Sequence, residues 1–258
     1  MKRLIILLFV LLLPLPAWAV PAVDQVVAKI NFDNIIGAQD FSFGTLPAAG
    51  SVVCATFWAW ANDDFDISTV TDNQANTYVV TKTAVVAKSR AVIACAPNVN
   101  SSGTFTITLT PTNAGGVYSV VSAASFTEIQ TSSPIDQTAS AIDAGPQAND
   151  ATVTSGATTV DDEVVIAVAI IASVGDAALT ITTPAGYTAI AVEQDNNAHL
   201  GGQASYLIVA ATGAQTATWS HDDVGSTADD GWGAVIVTLK GIVAAGATRR
   251  YGTPIFFQ

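Results

Sequence analysis

The chain has 258 residues, of which 50% are hydrophobic and only 12% charged. That balance excludes intrinsic disorder, which goes with few apolar residues and many charges. Acidic residues outnumber basic ones 21 to 9, a formal charge of -12, which argues against nucleic acid as a partner because duplex binding relies on a lysine and arginine footprint.

Residues 1–19 have three parts: Lys2 and Arg3, an unbroken apolar run over 4–13, and a close through Pro14, Pro16 and Ala17-Trp18-Ala19. The run is shorter than the roughly 20 residues that span a bilayer. Alanines at both positions a signal peptidase reads then predict a secretory signal over 1–19, cleaved near Val20; an uncleaved anchor is the alternative. The expected setting is secreted or cell-surface, the periplasm included, with no membrane attachment after cleavage. Loss of Lys2 and Arg3 leaves 7 basic residues against 21 acidic, or -14.

From Val20 onward, short segments rich in Val, Ile, Thr, Phe and Tyr alternate with clusters of Gly, Asn, Asp, Ser and Pro, the pattern of strands and turns. Cys54 lies in Ser51-Val52-Val53-Cys54-Ala55-Thr56-Phe57-Trp58 and Cys95 in Ala91-Val92-Ile93-Ala94-Cys95-Ala96, both reading as buried strands. In an oxidising compartment an even pair suggests a disulfide; two buried free thiols are the alternative. Trp58 and Trp60, two apart on one strand, share a face. Asn62-Asp63-Asp64-Phe65-Asp66 follows as an acidic loop, and 72–76 reads as a turn. Phe105, Ile107 and Leu109 alternate with threonines, predicting a strand with one core face and one wet face. Val164-Val165-Ile166-Ala167-Val168-Ala169-Ile170-Ile171 is apolar throughout and predicts a strand covered on both sides.

The order of elements recurs. Gly50-Ser51-Val52-Val53 aligns with Asp162-Glu163-Val164-Val165 at an offset of 112 residues, Arg90 to Ala96 with Ala204 to Ala210, and Tyr118 to Ala123 with Gly233 to Thr238. The expected fold is an all-β, antiparallel, jelly-roll-like β-sandwich built from two pseudo-repeats over 20–240, with halves at about 28–130 and 140–240. One double-layered sandwich formed by both halves is the simplest arrangement, and two separate small domains the alternative.

Several stretches carry a resemblance: Val70-Thr71-Asp72-Asn73-Gln74-Ala75-Asn76-Thr77-Tyr78, Ser132-Ser133-Pro134-Ile135-Asp136-Gln137-Thr138-Ala139-Ser140, Thr158-Thr159-Val160-Asp161-Asp162-Glu163-Val164-Val165, Pro184-Ala185-Gly186-Tyr187-Thr188, Thr216-Ala217-Thr218-Trp219-Ser220 and Trp232-Gly233-Ala234-Val235. Together they resemble the two-repeat, jelly-roll-like modules of exported bacterial proteins and of phage or prophage structural proteins. Phe126-Thr127-Glu128-Ile129 departs from that pattern, which usually places Glu-Phe or Glu-Tyr and then glycine there. The resemblance implies a fold and an extracellular or virion-surface setting, and brings no catalytic residues.

Chemistry is sparse. There is no Gly-x-Ser-x-Gly, and the histidines are His199 and His221. A glycan-active hydrolase needs two carboxyls flanking a cleft, but Glu128, Glu163 and Glu193 lie on separate segments, and Glu163, at a strand start, reads as a solvated edge charge. Two acidic loops can hold calcium, which takes six to eight oxygens at roughly 2.4 Å: Asp63, Asp64 and Asp66, or Asp222, Asp223, Asp229 and Asp230. The competing reading is that these carboxylates populate exposed turns and keep the chain soluble. No other cofactor is indicated. Trp58, Trp60, Trp219 and Trp232 can stack on sugar rings if exposed, or fill the core if not; Trp232 is the one expected to be partly exposed. Residues 241–258 read as a flexible tail ending in Arg249-Arg250-Tyr251 and Pro254-Ile255-Phe256-Phe257, suited to docking on an acidic neighbour or sheet edge of another copy, or else a frayed end. The functional expectation is a secreted, non-catalytic surface-binding or adhesive protein meeting a cell-surface glycan or protein. A virion, tail or filament subunit is the first alternative and a glycan-active hydrolase the second.

Overall fold

Alternation of apolar residues places successive side chains on opposite faces of a strand, and in this chain both faces are often apolar. A computed structural model describes residues 19–35, 37–61, 66–86, 89–112, 117–144, 150–172, 179–195, 200–222 and 231–242. They form fifteen strands: β1 (Ala22–Ile35), β2 (Gln39–Ser42), β3 (Val52–Ala61), β4 (Ile67–Asp72), β5 (Val79–Val86), β6 (Ser89–Ala96), β7 (Thr106–Pro111), β8 (Val117–Thr127), β9 (Ile135–Asp143), β10 (Ala151–Ala157), β11 (Glu163–Ala172), β12 (Thr188–Asp195), β13 (Leu200–Val209), β14 (Ala214–Trp219) and β15 (Gly231–Lys240). Every pairing between them is antiparallel. The molecule is all-β, a β-sandwich, with no helix among the described residues.

Two five-stranded sheets dominate, ordered β1-β8-β3-β6-β5 and β9-β15-β11-β13-β12, flanked by a three-stranded sheet β2-β7-β4 and a two-stranded sheet β10-β14. An isolated bridge from Ile181 to His221 extends the last of these. Reading along the chain, β1, β8, β3, β6 and β5 correspond strand for strand to β9, β15, β11, β13 and β12, and β2, β7 and β4 to β10, β14 and the Ile181 bridge. The five-stranded sheets meet face to face with β1 against β12, β5 against β9 and β15, β6 against β11 and β15, and β3 against β11. The contact of β1 with β12 and that of β5 with β9 are images of one another under the strand correspondence, the self-complementary pattern of a two-fold dimer, here within one chain.

The cores explain the sequence pattern. Val52, Cys54 and Trp58 of β3 point into a middle core with Val164, Ile166, Val168 and Ile170 of β11. The intervening Val53, Ala55, Phe57 and Ala59 face an outer core with Phe41, Phe105, Ile107 and Leu109. On the other side Val165, Ala167, Ala169 and Ile171 face a second outer core with Val153, Ala217, Trp219 and Ile236. The sandwich therefore has four layers and three cores, where the sequence suggested two layers. Both faces of β3, β6, β11 and β15 are covered, which is why they read as continuous apolar runs. Each fully buried valine or isoleucine there contributes about 1.5–3 kcal/mol of transfer free energy. The strands β1 and β9, which lie at the edges of the two five-stranded sheets, begin at Ala22 and Ile135.

Two local features lock the middle core. Cys54 and Cys95 stand directly opposite on β3 and β6 and form a disulfide, with Cα atoms 4.1 Å apart and a sequence separation of 41. Trp58 is fully buried against Gly202 of β13, where an added Cβ would collide with the indole ring and the Ala169 carbonyl. Glycine at 202 is a packing requirement.

Candidate functional site

The tryptophans do not form a surface platform. Trp58 and Trp60 share a face of β3 as their spacing predicts, but that face meets the opposite five-stranded sheet. Trp58 is wholly buried, and Trp60 is half-buried beside Tyr118, with ring centroids 6.2 Å apart. Trp219 is wholly buried and Trp232 is 7% exposed, both in the second outer core. The expectation of a partly exposed Trp232 is thus corrected: its strand, β15, runs between β11 and β9 and is covered on both faces.

The acidic loops are described in part. Asp63 and Asp64, and Asp223, Asp229 and Asp230, lie outside the described residues, as do His199 and the side chain of Glu193. Asp66 is exposed, and its carboxylate accepts the Ile67 N–H at 2.8 Å, while the Asp66 N–H donates to the Thr112 hydroxyl at 2.8 Å. Asp222 is exposed and accepts the Thr180 N–H at 2.6 Å, a bond that holds its carboxyl below the usual range. Among the described residues no three His, Cys, Asp or Glu side chains converge on a metal position. The 72–76 segment is a turn, as expected, in which Asp72 accepts the N–H groups of Gln74 and Asn76.

What the fold does bring together is a pair of matching polar clasps, one where each half begins. In the first half the Asp24 carboxylate accepts the Ala48 N–H at 2.6 Å and the Ser125 hydroxyl at 3.1 Å, and the Gln25 N–H donates to the same hydroxyl at 3.0 Å. In the second, the Asp136 carboxylate accepts the Thr159 N–H and hydroxyl, each at 2.6 Å, and the Gln137 N–H donates to the Thr238 hydroxyl at 3.1 Å. Each clasp ties the first strand of its half (β1, β9) to the last (β8, β15) and to the loop before the central strand (β3, β11). By register Val52 pairs with Phe126 and Val164 with Leu239, so Ser125 and Thr238 each lie one residue before the partner of the valine that follows Ser51 or Glu163.

The clasps differ at one position. Ser51 precedes Val52 and is buried; Glu163 precedes Val164 and is 0% exposed. The solvated edge charge expected from its strand-start position is therefore corrected, because the 158–162 segment and β9 fold over it. Its Oε1 accepts the Val160 N–H at 3.4 Å, and its Oε2 is buried with no donor. The Asp136 carboxylate and the Thr238 hydroxyl are its neighbours. Burial and the adjoining Asp136 carboxylate push the Glu163 carboxyl up to about 7, against the pull of the Thr238 bond. Asp136 is also raised by burial, but the bonds from Thr159 outweigh that and leave it below its usual range. The signal that could have found this pair was Val23-Asp24-Gln25 recurring as Ile135-Asp136-Gln137 at the repeat offset.

A shallow depression of about 210 Å³ lies beside the first clasp, lined by Ala49, Gly50, Ser51, Thr127, Glu128, Ile129, Thr131 and Ile242. It brings one carboxylate, Glu128, to the surface, where paired-carboxyl chemistry needs two. Among the described residues the large exposed apolar side chains are Val79 (55%), Val80 and Val85 on the edge strand β5, Ile142 (54%) on the edge strand β9, Val26 on the edge strand β1, and Val20, Leu46 and Ile242 outside the strands. Comparison of the chain with protein-family models, with curated proteins and with solved structures found no match.

Proposed function

We propose that this chain is an exported, non-catalytic β-sandwich whose work is binding at a surface, through a protein partner, and that its halves are jelly-roll-like repeats joined face to face. The repeat reading is supported by the matching strand orders and the matching clasps. Export is supported by the leader-like residues 1–19 and by the Cys54–Cys95 disulfide.

The observation that carries the binding reading is the exposure of Val79, Val80, Val85 and Ile142 on β5 and β9, edge strands of two sheets that lie against each other. Edge strands offer unpaired backbone groups, and exposed valines beside them favour a protein surface over a sugar. With three tryptophans in cores, the glycan reading rests on Trp60 alone.

A virion, tail or filament subunit is the second reading. The same edges can pair between copies, and the tail at 241–258 carries basic and apolar residues suited to a neighbour with an acidic body. Size-exclusion chromatography with light scattering on residues 20–258 separates the two. A monomer that binds a protein-coated surface supports the first, and rings or filaments lost on deleting 241–258 support the second. Polysaccharide turnover abolished by Glu193→Gln would overturn the non-catalytic reading.

A further inference from the structure

Among the described residues, Glu163 is the one buried carboxyl whose hydrogen bonding does not balance. Its Oε2 is fully buried with no hydrogen-bond partner, and the groups beside the carboxyl are the Asp136 carboxylate, an acceptor, and the Thr238 hydroxyl, which accepts the Gln137 N–H. Asp136 is already committed, accepting two bonds from Thr159. A carboxylate is acceptor-only, whereas a carboxylic acid brings one O–H donor. A buried Oε2 with no donor favours the protonated acid at Glu163, whose O–H the half-buried Asp136 carboxylate beside it can accept.

We infer that Glu163 and Asp136 share one proton and form a latch that fastens edge strand β9 and the 158–162 segment to the second five-stranded sheet, and that loss of this proton releases them. In the first half Ser51 stands where Glu163 does, and the Asp24 carboxylate takes its bonds from the Ala48 N–H and the Ser125 hydroxyl. Proton loss sets two negative charges against each other across the start of β9, where the strand is already irregular in its pairing with β15 between Val237 and Leu239. Other charged groups on the elements meeting Glu163 are Lys240, directly opposite on β15, and Asp161 and Asp162 in the preceding turn. Asp161 is occupied by the Thr212 N–H, and Lys240 is the one cation among them. This inference concerns a conformational device and does not depend on the binding reading.

The test is hydrogen exchange of the β9 amides, corrected for intrinsic exchange, on residues 20–258 between about pH 5 and about pH 8.5, for the wild type, Glu163→Gln and Asp136→Asn. A carboxamide at 163 donates to Asp136 without titrating. The latch predicts a several-fold loss of β9 protection in the wild type as pH rises, little or none in Glu163→Gln, and an unchanged β1 in all three. Equal pH dependence in the wild type and Glu163→Gln overturns it. If the variants fail to fold, a carbon-13 titration of the wild-type Glu163 carboxyl decides: a midpoint near neutrality supports the shared proton, and one in the ordinary glutamate range overturns it.

Discussion

Asp24 and Asp136, 112 residues apart, hold the same position in the two halves, each accepting a loop N–H at 2.6 Å while the next residue, a glutamine, donates its backbone N–H to a hydroxyl on the last strand of its half. A charge-assisted bond to a backbone N–H is worth roughly 1.5–3 kcal/mol. Asp24→Ala should lower stability in denaturant titration by about 1–2 kcal/mol, allowing for the partial exposure of the site. A change inside measurement error would mean that the clasp is ornamental.

Packing at Gly202 gives a sharper expectation. Gly202→Ala drives a methyl into the Trp58 ring and the Ala169 carbonyl, and overpacking of this kind costs about 1–3 kcal/mol. Trp58→Ala opens a cavity in the same core and should cost about 3–5 kcal/mol. Because the two residues touch, the double variant should be less damaging than the sum of the singles, read from a double-mutant cycle. Strict additivity would place Trp58 elsewhere.

Reduction of Cys54–Cys95 opens a loop of 41 residues, for which chain entropy gives about 4 kcal/mol. The Cys54→Ala/Cys95→Ala chain should keep its fold and show a correspondingly lower denaturation midpoint. A midpoint equal to that of the oxidised protein would remove the disulfide from the stability account.

Stability should peak in mildly acidic solution. Glu163 has a folded-state pKa raised above its ordinary 4.5 to about 7, so its contribution is present below the ordinary value and is lost as pH rises through about 7. Asp136 and Asp222 are depressed below 3.8, so their contributions are present above that value and are lost as pH falls through the folded-state pKa. Calorimetric melting across that span should show a maximum between the two limbs, and Glu163→Gln should flatten the alkaline one.

How much of this was legible in the sequence follows from what periodicity encodes. Alternation in Phe105, Ile107 and Leu109 marks a strand with one buried face, and the unbroken apolar run of β11 marks one buried on both; both were readable, as was the pairing partner of Cys54. Layer number was not, because a period of two says that a face is covered without saying by what. The same limit hid the tryptophans: Trp58 and Trp60 must share a face, but only the packing of β3 on β11 and β13 decides that it is an interior one. Glu163 was misread because a glutamate beside a turn is ordinarily solvated, and its burial depends on residues of β9 distant in sequence. Of the calcium candidates, Asp66 and Asp222 each cap a neighbouring backbone N–H, a role that needs no metal.

The central claim is that the work of this protein is done by the apolar edges of β5 and β9. The most direct measurement is retention of residues 20–258 on cell surfaces before and after protease treatment, with Val80→Lys/Val85→Lys and Trp60→Ala as variants, each checked to be folded at the assay temperature. The account predicts retention that protease abolishes, that the double lysine variant loses, and that Trp60→Ala keeps. Retention that survives protease and disappears with Trp60 would contradict it and return the function to glycan binding.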